Sequence, residues 1–199
     1  MYCVGLTGNI AAGKSSAANC FKKLGIEIIN ADLIARELTN NNTIFTAIKE
    51  HFGKAIINAQ GQLDRAKLRQ IIFAHRKERL WLECLLHPQI KKEILRKVTQ
   101  VNSAYCIVEI PLLYNRQDFP YIDRVLLITA PCTLKVCRLM HRDLCSAKHA
   151  KEILATQVNP HKHQEIADDI ISNDSTLAVL ASKIKILHNN YLNFSHHVI

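Results

Sequence analysis

Residues 8–15 read Gly-Asn-Ile-Ala-Ala-Gly-Lys-Ser and separate two apolar patterns of different period. Before them, Tyr2 to Thr7 is a nearly unbroken apolar run, as expected of a strand buried on both faces. After them, Ala17, Ala18, Phe21 and Leu24 recur at helical spacing until Gly25. The stretch matches G-x-x-x-x-G-K-[ST] in the context that this pattern requires, with a strand leading in and a helix leading out. Gly8, Asn9, Ile10, Ala11, Ala12 and Gly13 are mostly small, so successive backbone N–H groups can close around phosphate oxygens. The helix N-terminus adds partial positive charge. Lys14 is placed to neutralise β- and γ-phosphates, and Ser15 to offer its hydroxyl to Mg²⁺, with Ser16 beside it at the helix start. Asn9 is the non-glycine type that best tolerates a left-handed backbone. The stretch predicts a loop that holds the phosphates of ATP or a related nucleotide.

Such a loop implies an α/β chain with a parallel sheet. Further strand-like runs are Ile26 to Ile29, Tyr105 to Ile110, Arg124 to Ile128 and Ile170-Ile171. Between the second and third, residues 32–102 read as helical, with breaks at Asn40-Asn41-Asn42, Gly53, Gly61 and His87-Pro88. Asp64 is the expected N-cap of a helix running through Phe73. Thr133 to Arg142, Ser146 to Gln157 and the Pro160 region also read as helical. Thr176 to Phe194 reads as a closing amphipathic helix with Leu177, Leu180, Ile184, Leu187 and Tyr191 inward. The expected fold is a three-layer P-loop NTPase domain with a five-stranded parallel sheet, like that of nucleoside-monophosphate kinases. Its core takes in about 1–32, 104–135 and 165–199, with a helical substrate-binding insert at about 33–103 and a lid at about 136–164.

The length, 199 residues, suits one such domain. The formal charge of +9 admits nucleic acid or a polyanionic small substrate as partner. Few aromatics interleave with the basic residues, which disfavours a platform for single strands, so polyphosphate is preferred. Seven cysteines without metal spacing read as reduced thiols, most of them packed as small apolar groups. His161, His163, His196 and His197 read as solvated surface or tail. No apolar stretch is long enough to span a bilayer and no export signal is apparent, so a soluble cytoplasmic protein is expected.

A phosphate loop alone does not distinguish GTPases, motor ATPases and small-molecule kinases. No N-K-x-D and no strand ending in D-x-x-G occurs, so a GTPase has no support. A helical insert after the second strand and a basic helical region late in the chain follow the plan of small-molecule kinases. The stretches GLTGNIAAGKS, IINADLIAREL, GQLDRAKLRQIIF, LLHPQI, PLLYN, RLMHRD and ADDIISND, in this order, resemble the dephospho-CoA kinase family over nearly the full length. The resemblance implies Mg²⁺-dependent phosphorylation of the ribose 3′-hydroxyl of dephospho-CoA by ATP. No nucleic-acid or membrane partner is expected, and a monomer is favoured. A nucleoside or nucleotide kinase of the same architecture is the alternative, and a basic nucleic-acid-binding ATPase a weaker one.

The resemblance also suggests roles. Asp32, the second acid of a family D-A-D segment that reads Asn30-Ala31-Asp32 here, would orient the acceptor hydroxyl and take its proton. As a purely structural residue it would instead N-cap a helix beginning at Leu33. Arg138 and Arg142, four apart in the lid, would reach ATP, Arg142 the transferring phosphoryl, unless they form a solvated helix face. Arg65, His87 and Leu112 would shape the acceptor site, although His87-Pro88 would equally mark a helix boundary. Asn115 stands where the family commonly has an acid. Asn173 would line the adenine side or simply form a turn.

Overall fold

The computed structural model describes residues 1–156 and 161–196. Gln157 and Pro160, expected to be helical, and His197 lie outside them. Five strands form one all-parallel sheet: β1 (Tyr2–Thr7), β2 (Glu27–Asn30), β3 (Tyr105–Glu109), β4 (Arg124–Thr129) and β5 (Asp169–Ser172), in the order β2-β3-β1-β4-β5. Every residue of β1 and β3 is buried, which explains their continuous apolar spelling. The chain returns to opposite sides of β1, so the carboxyl ends of the central strands border a topological switch point, where ligands bind in open α/β sheets.

Nine helices lie among the described residues: α1 (Lys14–Lys23), α2 (Ala31–Leu38), α3 (Asn42–Phe52), α4 (Arg65–Ala74), α5 (Arg76–Val98), α6 (Cys132–Asp143), α7 (Ala147–Ala155), α8 (His161–Ile166) and α9 (Leu177–His196). The chain divides into two compact units, one of Met1–Asn30 with Lys97–Ile199 and the other of Ala31–Arg96.

In the first unit α1 and α9 pack on the sheet. Phe21, Tyr105 and Tyr191 meet there, with the Phe21 and Tyr191 rings stacked at 6.1 Å. Leu180, Ile184 and Tyr191 are buried as the helical spacing requires, but Leu177 is exposed because it begins α9 at the rim of the unit. Two adjacent acids pin the β4–β5 edge. Asp168 accepts from the Val125 amide at 2.7 Å and pairs with Arg116. Asp169 accepts from Arg124 through Nε at 2.6 Å and Nη2 at 3.1 Å, and from the Tyr191 hydroxyl at 2.8 Å. Asp169→Ala leaves Arg124 and a buried phenol unpaired and is expected to cost about 2 kcal/mol. Differential scanning calorimetry should read this as a fall in Tm of about 4–8 °C. An unchanged Tm would contradict the role assigned to the carboxylate.

The second unit has its own core of Ile44, Ile48, Ile56, Leu63, Leu68 and Leu82. Asp64 caps α4 by accepting from the Lys67 amide at 3.0 Å. The break expected at His87-Pro88 does not occur, because α5 runs through Pro88. The proline lacks the N–H that would bond the Cys84 carbonyl, but Cys84 and Pro88 are both exposed, so water can satisfy that carbonyl. The thiols are less uniformly packed than expected. Cys3, Cys20 and Cys106 are buried, whereas Cys84, Cys132 and Cys137 are exposed, since their helices turn those positions outward. No helix among the described residues is long and apolar enough to cross a membrane.

Candidate active site

The loop between β1 and α1 is held in a shape that few residues can adopt. Gly8 has φ +146° and Gly13 φ +101°. A Cβ on Gly8 would stand 2.3 Å from the Ile128 carbonyl oxygen, and one on Gly13 would stand 2.0 Å from Asn173 Nδ2. The left-handed non-glycine residue of the loop is Ala11, with φ 60°, and not Asn9. Alanine bears that strain more lightly than a β-branched or bulky side chain would, and the Asn9 side chain is occupied elsewhere. Its Oδ1 lies 3.1 Å from His163 Nδ1. Ile10 and Ala11 pack against Val136, Leu139 and Ala150, which ties the loop to α6 and α7. Gly8→Ala is expected to destabilise the fold by about 3 kcal/mol, because the obstructing atom is strand backbone. Denaturant unfolding measures this, and a loss below about 1 kcal/mol would contradict the close approach.

Lys14 opens α1 and donates from Nζ to the carbonyls of Gly8 at 2.7 Å and Asn9 at 3.2 Å. Its charge is thereby held over the loop. Ser15 is exposed and Ser16 half-buried in the first turn of the same helix. A hydroxyl oxygen on a free helix face is a hard donor that suits Mg²⁺. Among the described residues no group of three or more His, Cys, Asp or Glu side chains could hold a metal ion.

The two arginines expected to reach ATP are placed differently. Arg138 is half-buried and braces the loop, with Nη1 3.2 Å from the carbonyls of both Ala11 and Ala12 and Nη2 2.9 Å from that of Asn173. Asn173 in turn donates from Nδ2 to the Ala12 carbonyl at 2.9 Å. Arg138 and Asn173 thus brace from outside a loop whose own glycines already restrict its shape. Arg142 is exposed and forks onto its neighbour, with Nε–Asp143 Oδ1 2.7 Å and Nη2–Oδ2 2.8 Å, a pair that raises the guanidinium pKa.

Asp32 is exposed and lies inside the first turn of α2, which begins at Ala31 directly after β2. It is therefore not the N-cap of a helix starting at Leu33. A carboxylate here is favoured by the helix dipole. Asn30, which takes the place of the missing first acid, donates to Glu109 Oε2 at 2.7 Å. Glu109 is buried at the carboxyl end of β3, in register with Leu6 of β1. Sequence reasoning missed it, although an acid ending an apolar run was the available signal.

Arg65 begins α4 and donates from Nη2 to the Arg36 carbonyl at 3.1 Å and Asn40 Oδ1 at 3.0 Å. With Asn40, Asn42, Phe45 and Gln62 it lines a cavity of about 500 Å³ in the second unit. His87 is exposed on α5. Leu112 is exposed after β3, while Leu113 is buried. Asn115 caps a 3₁₀ turn by accepting from the Gln117 amide at 3.0 Å.

His163 departs most from expectation. It is 2% exposed, not solvated, because α8 turns it onto the loop, where its ring stacks on Tyr114 at 4.6 Å. The side chain of neighbouring His161 is not described.

Residues 2–178 match the family "Dephospho-CoA kinase". The dephospho-CoA kinase of Legionella pneumophila (strain Philadelphia 1) is 48% identical over 193 residues, 96% of each chain. That of Coxiella burnetii is 41% identical over 197 residues, 98% of this chain and 99% of its own. The solved dephospho-CoA kinase from Campylobacter jejuni matches with a TM-score of 0.71 at 28% identity, covering 96% of this chain and 97% of that one. With a braced phosphate loop at the switch point of a parallel sheet, and with these likenesses over almost its whole length, the chain belongs to the dephospho-CoA kinase family.

Proposed function

We propose that the protein transfers the γ-phosphoryl group of ATP to the ribose 3′-hydroxyl of dephospho-CoA, giving coenzyme A and ADP in the last step of coenzyme A synthesis. The observation that carries this reading is the loop itself. Two glycines with no room for a Cβ, an α-helix N-terminus and Lys14 together form an anion cradle within a chain of this family.

In this reading the amides of residues 9–15 and Lys14 hold the β- and γ-phosphates. Phosphoryl transfer depends chiefly on positioning and charge neutralisation, which these groups supply. Ser15 would hold Mg²⁺, which when bound neutralises charge shared between the phosphates. Asp32 orients the acceptor hydroxyl and takes its proton as the new O–P bond forms and the bond to the ADP oxygen breaks. Arg138 acts by fixing the loop. Arg142 leaves its exposed pair with Asp143, worth about 0–1 kcal/mol, to meet the nucleotide. Arg65 and its cavity, with His87 and Leu112, receive the acceptor. The positive net charge then serves two polyanionic substrates and not nucleic acid.

An acceptor panel tests the assignment. With Mg·ATP, ADP should form rapidly with dephospho-CoA and at background rate with nucleosides or nucleoside monophosphates. Equal turnover of a nucleoside monophosphate would move the protein to the alternative kinase class.

A further inference from the structure

His163 joins α8 to the phosphate loop through a ring that is only half satisfied. Nδ1 faces Asn9 Oδ1 at 3.1 Å, an acceptor, so the single proton of the neutral ring sits on Nδ1. Nε2 is buried and has no hydrogen-bond partner. The nearby Pro111 carbonyl favours a further proton on the ring, and that carbonyl already accepts from the Thr7 hydroxyl at 3.3 Å. Nδ1 thus has an acceptor, and the Pro111 carbonyl stands near the ring as a second one that Nε2 does not yet bond. Burial, and secondly the charge of Lys14, hold the His163 pKa below its ordinary value. The other titratable groups around it are Tyr114, stacked on the ring with its phenol pushed up by burial, and Lys135, which lines the adjoining cavity of about 180 Å³ with Asn9 and Gln164. Lys162 and Glu165 of α8 are exposed.

We propose that nucleotide binding is coupled to proton uptake at His163. The triphosphate entering beside Lys14 offsets that lysine's charge, so the ring takes a second proton from solvent and then donates from Nδ1 to Asn9 and from Nε2 to the Pro111 carbonyl, locking α8 onto the loop. His163 is a positioning residue in this scheme. The inference rests on the reading of residues 8–15 as the ATP site. The sign follows from linkage. A group whose pKa is low in the free protein and restored in the complex takes up a proton on binding between the two values. Affinity therefore rises as pH falls through the value in the complex and levels off below that of the free protein.

The test is calorimetric titration of a non-hydrolysable ATP analogue, in excess Mg²⁺ near pH 6.5 (about the ordinary histidine value), in two buffers of different ionisation enthalpy. The wild type should take up protons and gain up to about tenfold in affinity from pH 8 to pH 6. His163→Gln retains a polar side chain but cannot titrate, so it should show neither. His188→Gln, changing another histidine of lowered pKa that lies on α9 against Tyr105, should behave as wild type. The His163 ring resonances of the saturated wild-type complex should move to the imidazolium position, which settles the matter even if a variant fails to fold. Equal uptake by wild type and His163→Gln, or a ring that stays neutral at saturation, overturns the coupling alone. Absence of any nucleotide binding by the wild type overturns the assignment of the loop as well.

Discussion

Lys14→Ala should lower kcat/KM for ATP by at least about 10³-fold, close to 4 kcal/mol of lost transition-state stabilisation. The expectation follows from where the ammonium is held. It is fixed to the Gly8 and Asn9 carbonyls, 2.7 and 3.2 Å away, and so stands over the loop before any nucleotide arrives. Held beside the loop, it needs only a short turn onto the phosphates and is then in place before the phosphoryl group moves. Half-buried and at the first position of α1, Lys14 contributes little to the core, so the melting temperature should change by only a few degrees. Steady-state kinetics with calorimetry of the same preparation separates the two effects. Near-normal turnover would remove Lys14 from the reaction, whereas a collapse of Tm would make it a structural residue.

Asp32→Asn should reduce kcat by about 10²-fold with little change in either KM. Asparagine preserves the size of the side chain and can still hydrogen-bond the acceptor hydroxyl, but it cannot receive the proton. The position within the first turn of α2 means that the substitution removes a favourable charge–dipole interaction of only about 0.3–1 kcal/mol. A variant that loses thermal stability but retains kcat would show that the carboxylate serves the helix and not the chemistry.

The parts of this protein that were legible in its sequence are those with local causes. Strands buried on both faces must be written in apolar residues, so β1, β3 and β4 stand out. The loop could be read because its residue types answer to backbone geometry, Gly8 and Gly13 above all. What escaped depends on neighbours distant in sequence. Arg138 read as an arginine that would reach ATP, yet its position on α6 meets the Ala11 and Ala12 carbonyls, 127 and 126 residues away in the chain. His163 sits in a polar stretch with no period, and its burial comes from Tyr114 and Asn9. The Asn30–Glu109 pair required the β2–β3 register. Pro88 misled for a different reason. Its usual effect as a helix breaker was outweighed by the solvent beside α5 and the core that helix helps to form.

The central claim is that main-chain amides of the β1–α1 loop grip a triphosphate. It is tested most directly by the crystal structure of the protein with Mg²⁺ and a non-hydrolysable ATP analogue. The account predicts phosphate oxygens within hydrogen-bonding distance, about 2.7–3.2 Å, of several amides between Asn9 and Ser15, with Lys14 Nζ turned from the Gly8 carbonyl to the terminal phosphates. A nucleotide bound elsewhere while this loop keeps Lys14 on its own carbonyls would contradict it.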